Sequence, residues 1–173
     1  MSRIVVGVDA SPGARGALAW AAEEARLRQA VLQVVYAYHA RGSGGHYYYA
    51  SDHELPAAAG MPSQEIQAAP QDMTAMLMDR SEVDEAAHNS ADDLLDTLLG
   101  ELGDGLTGVD VQRSVIDDRH PAEALLDASQ DADLLVVGAR GRGGFSKLRL
   151  GSVSHAVVQH AVCSVVVVTQ RRT

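Results

Sequence analysis

Short aliphatic runs alternate with segments of helical periodicity along most of the chain. Ile4-Val5-Val6-Gly7-Val8 is a compact apolar run ending at Asp9. Its β-branched residues and short length predict a strand. Ser11-Pro12 follows, a capping hydroxyl with proline at the first helical position. From Gly13 to Gln29, Ala, Leu, Glu and Arg place apolar residues at helical spacing. A second strand is predicted at Val31 to Tyr38. Residues 39–72 then hold Gly42, Gly44, Gly45, Gly60, Pro56, Pro62 and Pro70, which predict a long irregular loop. Met73 to Leu102 predicts an acidic helix whose apolar stripe runs through Met76, Leu77, Val83, Ala87, Leu94, Leu95, Leu98 and Leu99. Val109 to Ile116 alternates apolar and polar residues as a third strand does, and His120-Pro121 opens a short helix to about Gln130. The fourth strand is expected at Leu134 to Gly138, a helix at Ser152 to Ala161, and a fifth strand at Ser164 to Thr169. The last is apolar on both faces, the pattern of a buried strand.

Strands alternating with helices predict an α/β fold with a mostly parallel sheet covered on both faces. Such sheets bind ligands at the carboxyl ends of their strands, near a topological switch point. Asp9 and Gly138 both end predicted strands, so they are candidates for one site. A length of 173 residues fits one domain over 1–173, interrupted by the irregular stretch at 39–72. Aromatics are 4% of the chain, which leaves aliphatic side chains and alanine to fill the core. The single Cys163 excludes an internal disulfide framework and fits a reducing compartment. The chain enters directly into Arg3-Ile4-Val5 without the pattern of a leader, and no apolar run reaches the ~18 residues of a membrane span. The expectation is a cytoplasmic protein. A net charge of −9 argues against coating nucleic acid, which needs a broad basic face.

The charge is unevenly spread, and that changes the picture. From Leu134 to Thr173 there is no Asp or Glu, while Arg140, Arg142, Lys147, Arg149, Arg171 and Arg172 are basic. Here Gly138-Ala139-Arg140-Gly141-Arg142-Gly143-Gly144 follows a strand, and Gly151-Ser152 opens a helix. Strand, glycine loop and helix start make a phosphate cradle: backbone N–H groups approach the anion, and the helix start adds unpaired donors. The run is not a Walker loop, because Ser146 precedes Lys147 and Leu148 follows it. Nor is it a dinucleotide fingerprint, since Ser146 stands where Gly141-x-Gly143 would require a third glycine. What stands here is Gly138-x2-Gly141-x9-Gly151-Ser152, together with Val8-Asp9-Ala10-Ser11-Pro12 at the first strand end.

These paired motifs, in a five-strand alternation covering essentially the whole chain, resemble the ATP-binding branch of the universal stress protein family. The resemblance implies a single open five-stranded parallel sheet with helices on both faces, Rossmann-like and similar to the adenine nucleotide alpha hydrolases. It implies ATP, with nucleotide-borne Mg, as cofactor. Gly138 and Gly141 would bring backbone close to ribose and phosphates, and Gly151 and Ser152 would bind phosphate oxygens. Val153 would add an N–H, Asp9 would meet the ribose or help hold the metal, and Ala37 would meet adenine through its backbone. It also implies a homodimer paired through the last strand, Ser164 to Thr169. The function that follows is a stress-response regulator whose nucleotide occupancy modulates conformation or partner binding. The alternatives are a slow ATPase or adenylyl-transferring enzyme, and a cyclic AMP binder using the same pocket. The motifs show no general base poised on a nucleophile, which favours binding over turnover.

Plainer roles exist for the same residues. Asp9 and Ser152 are both suited to helix capping. Arg140 is placed to touch phosphate, as are Arg142, Lys147 and Arg149, although loop arginines are commonly solvated. His39, His46 and His53 lack the accompanying pattern of a zinc site, and His155 and His160 lie five apart in one predicted helix, poor geometry for a shared ligand. Tyr47-Tyr48-Tyr49 lies in the irregular stretch, and Cys163 reads as a small core residue.

Overall fold

The computed structural model describes residues 2–38, 80–117, 120–140 and 150–169. The elements are β1 (Arg3–Val8), α1 (Pro12–Arg28), β2 (Val31–Tyr38), α2 (Arg80–Leu102), a 3-10 turn (Gly103–Leu106), β3 (Asp110–Asp117), α3 (Pro121–Ala128), β4 (Leu134–Gly138), α4 (Ser152–His160) and β5 (Ser164–Val168). The strands form one five-stranded parallel sheet in the order β3-β2-β1-β4-β5. Parallel strands need crossovers, and the intervening helices supply them.

Alternation along the strands divides the core into two layers. Ile4, Val6 and Val8 of β1, Leu32 and Val34 of β2, and Leu134 and Val136 of β4 pack with α1 and with Leu95 and Leu98 of α2. Val5, Val35, Leu135 and Val137 face the other way, against Leu125 of α3 and Val157 of α4. Both faces of the central strands are therefore dry, which explains their near-continuous Val and Leu content. Helix α1 lies close to the sheet because its buried face is built from small residues: Ala14, Ala17, Ala21, Ala22 and Ala25, with Leu18.

Helix ends account for most differences of boundary. The expected helix to Gln29 stops at Arg28, because Gln29 adopts the left-handed conformation and turns its N–H back to Ala25 and Arg26. Helix α3 ends at Ala128, where Ser129 closes the turn onto Leu125 and Leu126. A 3-10 turn after α2 adds an element that the periodicity does not announce. The expectation of a buried fifth strand is corrected: Ser164 is exposed and Val165 to Val168 are only half-buried, since among the described residues β5 is an outer strand paired to β4 alone. The irregular stretch at 39–72 and the start of the acidic helix at 73–79 lie outside the described residues.

The order β3-β2-β1-β4-β5 places the site. From β1 the chain moves to β2 and then β3; it later returns to the other side of β1 as β4 and moves on to β5. The connections leaving β1 and β4 thus diverge to opposite faces of the sheet and open a crevice at their carboxyl ends.

Candidate functional site

Strand register brings the candidate residues to one level. Gly7 pairs with Val35 on one side and Val137 on the other. Two residues further along each strand stand Asp9, Ala37 and Ala139. Ala37 is half-buried and lies one residue past the last β1–β2 pair, Val8 with Tyr36, while its other edge remains paired to Ile116 of β3.

The β1–α1 junction spends its polar groups on itself. Asp9 Oδ1 accepts the N–H of Ser11 at 3.0 Å, an Asx turn. Ser11, only 4% exposed, caps α1 by accepting the Ala14 N–H at 3.2 Å. Its hydroxyl also donates to the Arg140 carbonyl at 3.5 Å, linking the two loops of the crevice. Arg15 donates to the Ala10 carbonyl at 3.2 Å while its Nε meets Glu101 at 2.6 Å. That hydrogen bond, with the charge attraction behind it, holds the Glu101 carboxyl below and the Arg15 guanidinium above their ordinary ranges. The loop after β1 is thereby tied to the end of α2.

Glycines let the second loop lie against the first. A Cβ on Gly138 would stand 2.8 Å from the Gly13 carbonyl carbon and 2.9 Å from its oxygen. One on Gly13 would stand 2.6 Å from the Arg140 carbonyl oxygen. Both clashes are with backbone, which cannot swing away. The bare face of Gly138 is therefore turned to the start of α1, so packing by itself accounts for a glycine there.

The β4–α4 junction is arranged differently. The Ala139 N–H donates to the Val168 carbonyl of β5 at 2.8 Å, and its carbonyl accepts the Gly151 N–H at 2.8 Å. Ala139 and Gly151 therefore close the base of the glycine loop, and the N–H of Gly151 is engaged within the protein. Helix α4 then begins at Ser152 with Gly151 as N-cap, a residue without a side chain to satisfy the next donors. The Ser152 and Val153 N–H groups have no acceptor among the described residues. Ser152 is exposed, whereas Val153 turns its side chain into the core layer of Leu125 and Val157 and leaves its backbone at the helix start. Arg140 is exposed, its carbonyl facing Ser11. Gly141, Arg142, Gly143, Gly144, Lys147 and Arg149 lie outside the described residues.

The structure thus gathers Asp9, Ala37, Gly138, Arg140, Gly151, Ser152 and Val153 at the carboxyl ends of the strands. Among the described residues, no group of three or more His, Cys, Asp or Glu is placed to hold a metal ion. Asp9 offers one carboxylate oxygen beyond its bond to Ser11, which suits an ion carried in by phosphates better than a resident one. Two buried serines, Ser11 and Ser154, organise the crevice; Ser11 stands in the motif as the cap of α1, whereas Ser154 escapes a search for binding motifs. For Ser154 a signal existed in its place three residues after the helix-opening Gly151, the reciprocal position of a capping box. No helix among the described residues is long and apolar enough to cross a membrane.

Comparison with known proteins agrees with this architecture. A model of the universal stress protein family matches residues 1–169. The universal stress protein Rv2005c of Mycobacterium tuberculosis is 32% identical over 167 residues, covering 96% of this chain and 45% of that protein. Another from the same organism, Rv2623, is 32% identical over 165 residues, covering 95% of this chain and 46% of its own length. The chain spans about half the length of the curated relatives it matches. Among solved structures, the universal stress protein UspA of Lactobacillus plantarum superposes with a TM-score of 0.66 at 20% identity, covering 96% of this chain and 97% of that one. A universal stress protein solved in complex with cAMP gives a TM-score of 0.51 at 22% identity, covering 96% and 95%. At such identities the solved structures bear on the fold, whereas the sequence matches reach further: this chain belongs to the universal stress protein family.

Proposed function

We propose that the crevice between β1 and β4 binds an adenine nucleotide, ATP, and that occupancy changes the conformation of the glycine loop or what the protein binds. One observation carries this reading above the others: the N–H groups of Ser152 and Val153, left open at the start of α4, stand across the switch point from Asp9. A helix start with open donors favours phosphate through hydrogen bonding and its positive dipole end. Ser152 adds a hydroxyl, and Arg140 and Gly141 flank the phosphates. Gly151 contributes by having no side chain where phosphate would lie, and Gly138 by admitting α1 beneath the loop. Adenine meets the backbone of Ala37, past the end of β1 pairing. Asp9 faces the ribose or a phosphate-bound Mg, for which it supplies one oxygen. A bound Mg would neutralise phosphate charge.

The same reading places the chain in the ATP-binding branch of its family, as a single domain over residues 1–173 acting in the cytoplasm. It also seats a second copy of the chain on β5. That outer strand is apolar and half-buried, and beside it Val162 is 78% and Val158 50% exposed, an edge suited to pairing with its own kind. Sedimentation that finds only monomer would remove this part.

The deciding experiment is nucleotide content of the purified protein by heat release and chromatography, followed by titration with ATP and magnesium. Co-purified adenine nucleotide, or a Kd on the order of micromolar, is expected. Cyclic AMP is the second reading, favoured by the family member solved with it. Binding of cyclic AMP without ATP would select it. Turnover would rest on Asp9, whose Oδ1 already accepts the Ser11 N–H, so binding is the stronger reading. Phosphate release well above that of a Gly151 variant would reverse that order.

A further inference from the structure

Ser154 is buried, at 3% exposure, in the first turn of α4. Its hydroxyl accepts the Gly151 N–H at 2.9 Å and lies 2.9 Å from the Ala139 carbonyl, to which it donates; the Gly151 carbonyl is 3.1 Å away. The Ala139 carbonyl also accepts the Gly151 N–H directly, at 2.8 Å, and the Ala139 N–H is bonded to Val168 of β5. One side chain therefore ties the α4 start to Ala139, the residue that follows β4, and through the Ala139 N–H to β5. We propose that Ser154 is a positioning residue for phosphate recognition: it fixes the first turn of α4 so that the Ser152 and Val153 N–H groups point together into the crevice. This rests on the nucleotide-binding reading above and goes beyond it by assigning the orientation of those donors to a residue that never touches the ligand.

The physical argument is one of leverage. Residues 139 and 151 bound the glycine loop, and the N–H groups at issue follow immediately after its second end. An anion bound by backbone donors is sensitive to their direction, because hydrogen bonds weaken steeply away from linearity. Removing the Ser154 hydroxyl leaves the direct bond between Gly151 and Ala139 in place, so neither backbone group is orphaned. The fold should therefore survive, while the tether that orients the turn is lost.

The test is Ser154→Ala, with Ser154→Thr as the hydroxyl-bearing control, read by titration with ATP and adenosine and by amide hydrogen exchange. The inference expects Ser154→Ala to lower ATP affinity by about tenfold and adenosine affinity by less than about twofold, with Ser154→Thr restoring most of the ATP affinity. It also expects the Gly151 amide of ligand-free Ser154→Ala to exchange about tenfold faster while Val136 in β4 stays protected. Equal losses for ATP and adenosine, or no loss in a folded variant, would overturn it. If the wild-type protein binds no adenine nucleotide, the proposed function fails, and exchange still decides the positioning role. Unchanged exchange at Gly151 would end it, whatever the ligand.

Discussion

The junctions β1–α1 and β4–α4 both leave the carboxyl ends of their strands, yet they treat their helix starts differently. At the first, Asp9 turns onto Ser11, Ser11 caps Ala14, and the Ser11 hydroxyl reaches the Arg140 carbonyl. At the second, the N-cap is a glycine, and the Ser152 and Val153 donors have no acceptor among the described residues. A helix start capped by its own side chains adds stability but offers little to a ligand. One capped by glycine forgoes only a few tenths of a kcal/mol (~0.3) of capping and keeps its donors open. The pairing makes sense as a division of labour: α1 anchors the crevice, and α4 presents donors to it.

The comparison can be broken most severely at Gly151. Its φ of −81° is open to any residue, so Gly151→Val should fold, yet a side chain there would occupy the phosphate position. We expect ATP affinity to fall at least about 100-fold, near 2.7 kcal/mol, by titration; unchanged affinity would sink the assignment of α4 as the phosphate end. On the anchoring side, Gly138→Ala drives a Cβ to 2.8 Å from the Gly13 backbone. Such overpacking should cost about 2 kcal/mol in urea unfolding, and a neutral result would mean that α1 is not held against β4 as described.

Capping serines sharpen the contrast further. Ser11→Ala removes a cap and the link to Arg140 and should destabilise the fold by about 1 kcal/mol, whereas Ser152→Ala should leave unfolding unchanged and weaken ATP binding alone. Equal effects of the two on stability would erase the distinction between the junctions. The smallest effect is expected at the opposite, amino ends of the strands. The Arg3 N–H and the Ser2 hydroxyl hold the Asp133 carboxyl below its ordinary range. A depressed carboxyl pKa stabilises the fold above the unfolded value and loses that contribution as pH falls through the folded one. Unfolding of Asp133→Asn should therefore approach wild type below about pH 4, differ slightly at neutral pH, and leave ATP binding untouched. A change in binding would mean that the two ends of the strands are coupled.

Most of the fold was legible because its signals are local. Runs such as Leu134-Leu135-Val136-Val137, short, apolar and followed by a glycine loop, read as buried strands, and Ser11-Pro12 announces a helix start by its own chemistry. The motif residues Asp9, Gly138, Gly151 and Ser152 stood out for the same reason. Apolarity alone could not tell that β5 lies at the outer edge of the sheet, since a strand buried by the rest of its fold and one suited to a second copy carry the same valines. Nor could the motif say that the Gly151 N–H is engaged by Ala139, which moves the open donors on to Ser152 and Val153.

By itself, then, the sequence determined the alternation of strands and helices, a parallel sheet covered on both faces, and the presence of a glycine-rich stretch after the fourth strand. Each depends on residues close in the chain, through periodicity, propensity and capping. Only the tertiary structure decided that β4 returns beside β1 and opens the crevice between them. It also decided that Ser11 reaches Arg140 across 129 positions of sequence, and that a buried serine on α4 closes the base of the loop. Those are contacts between segments that meet only when the sheet assembles, so no local pattern encodes them. They set which backbone groups are already engaged and which remain open to a ligand.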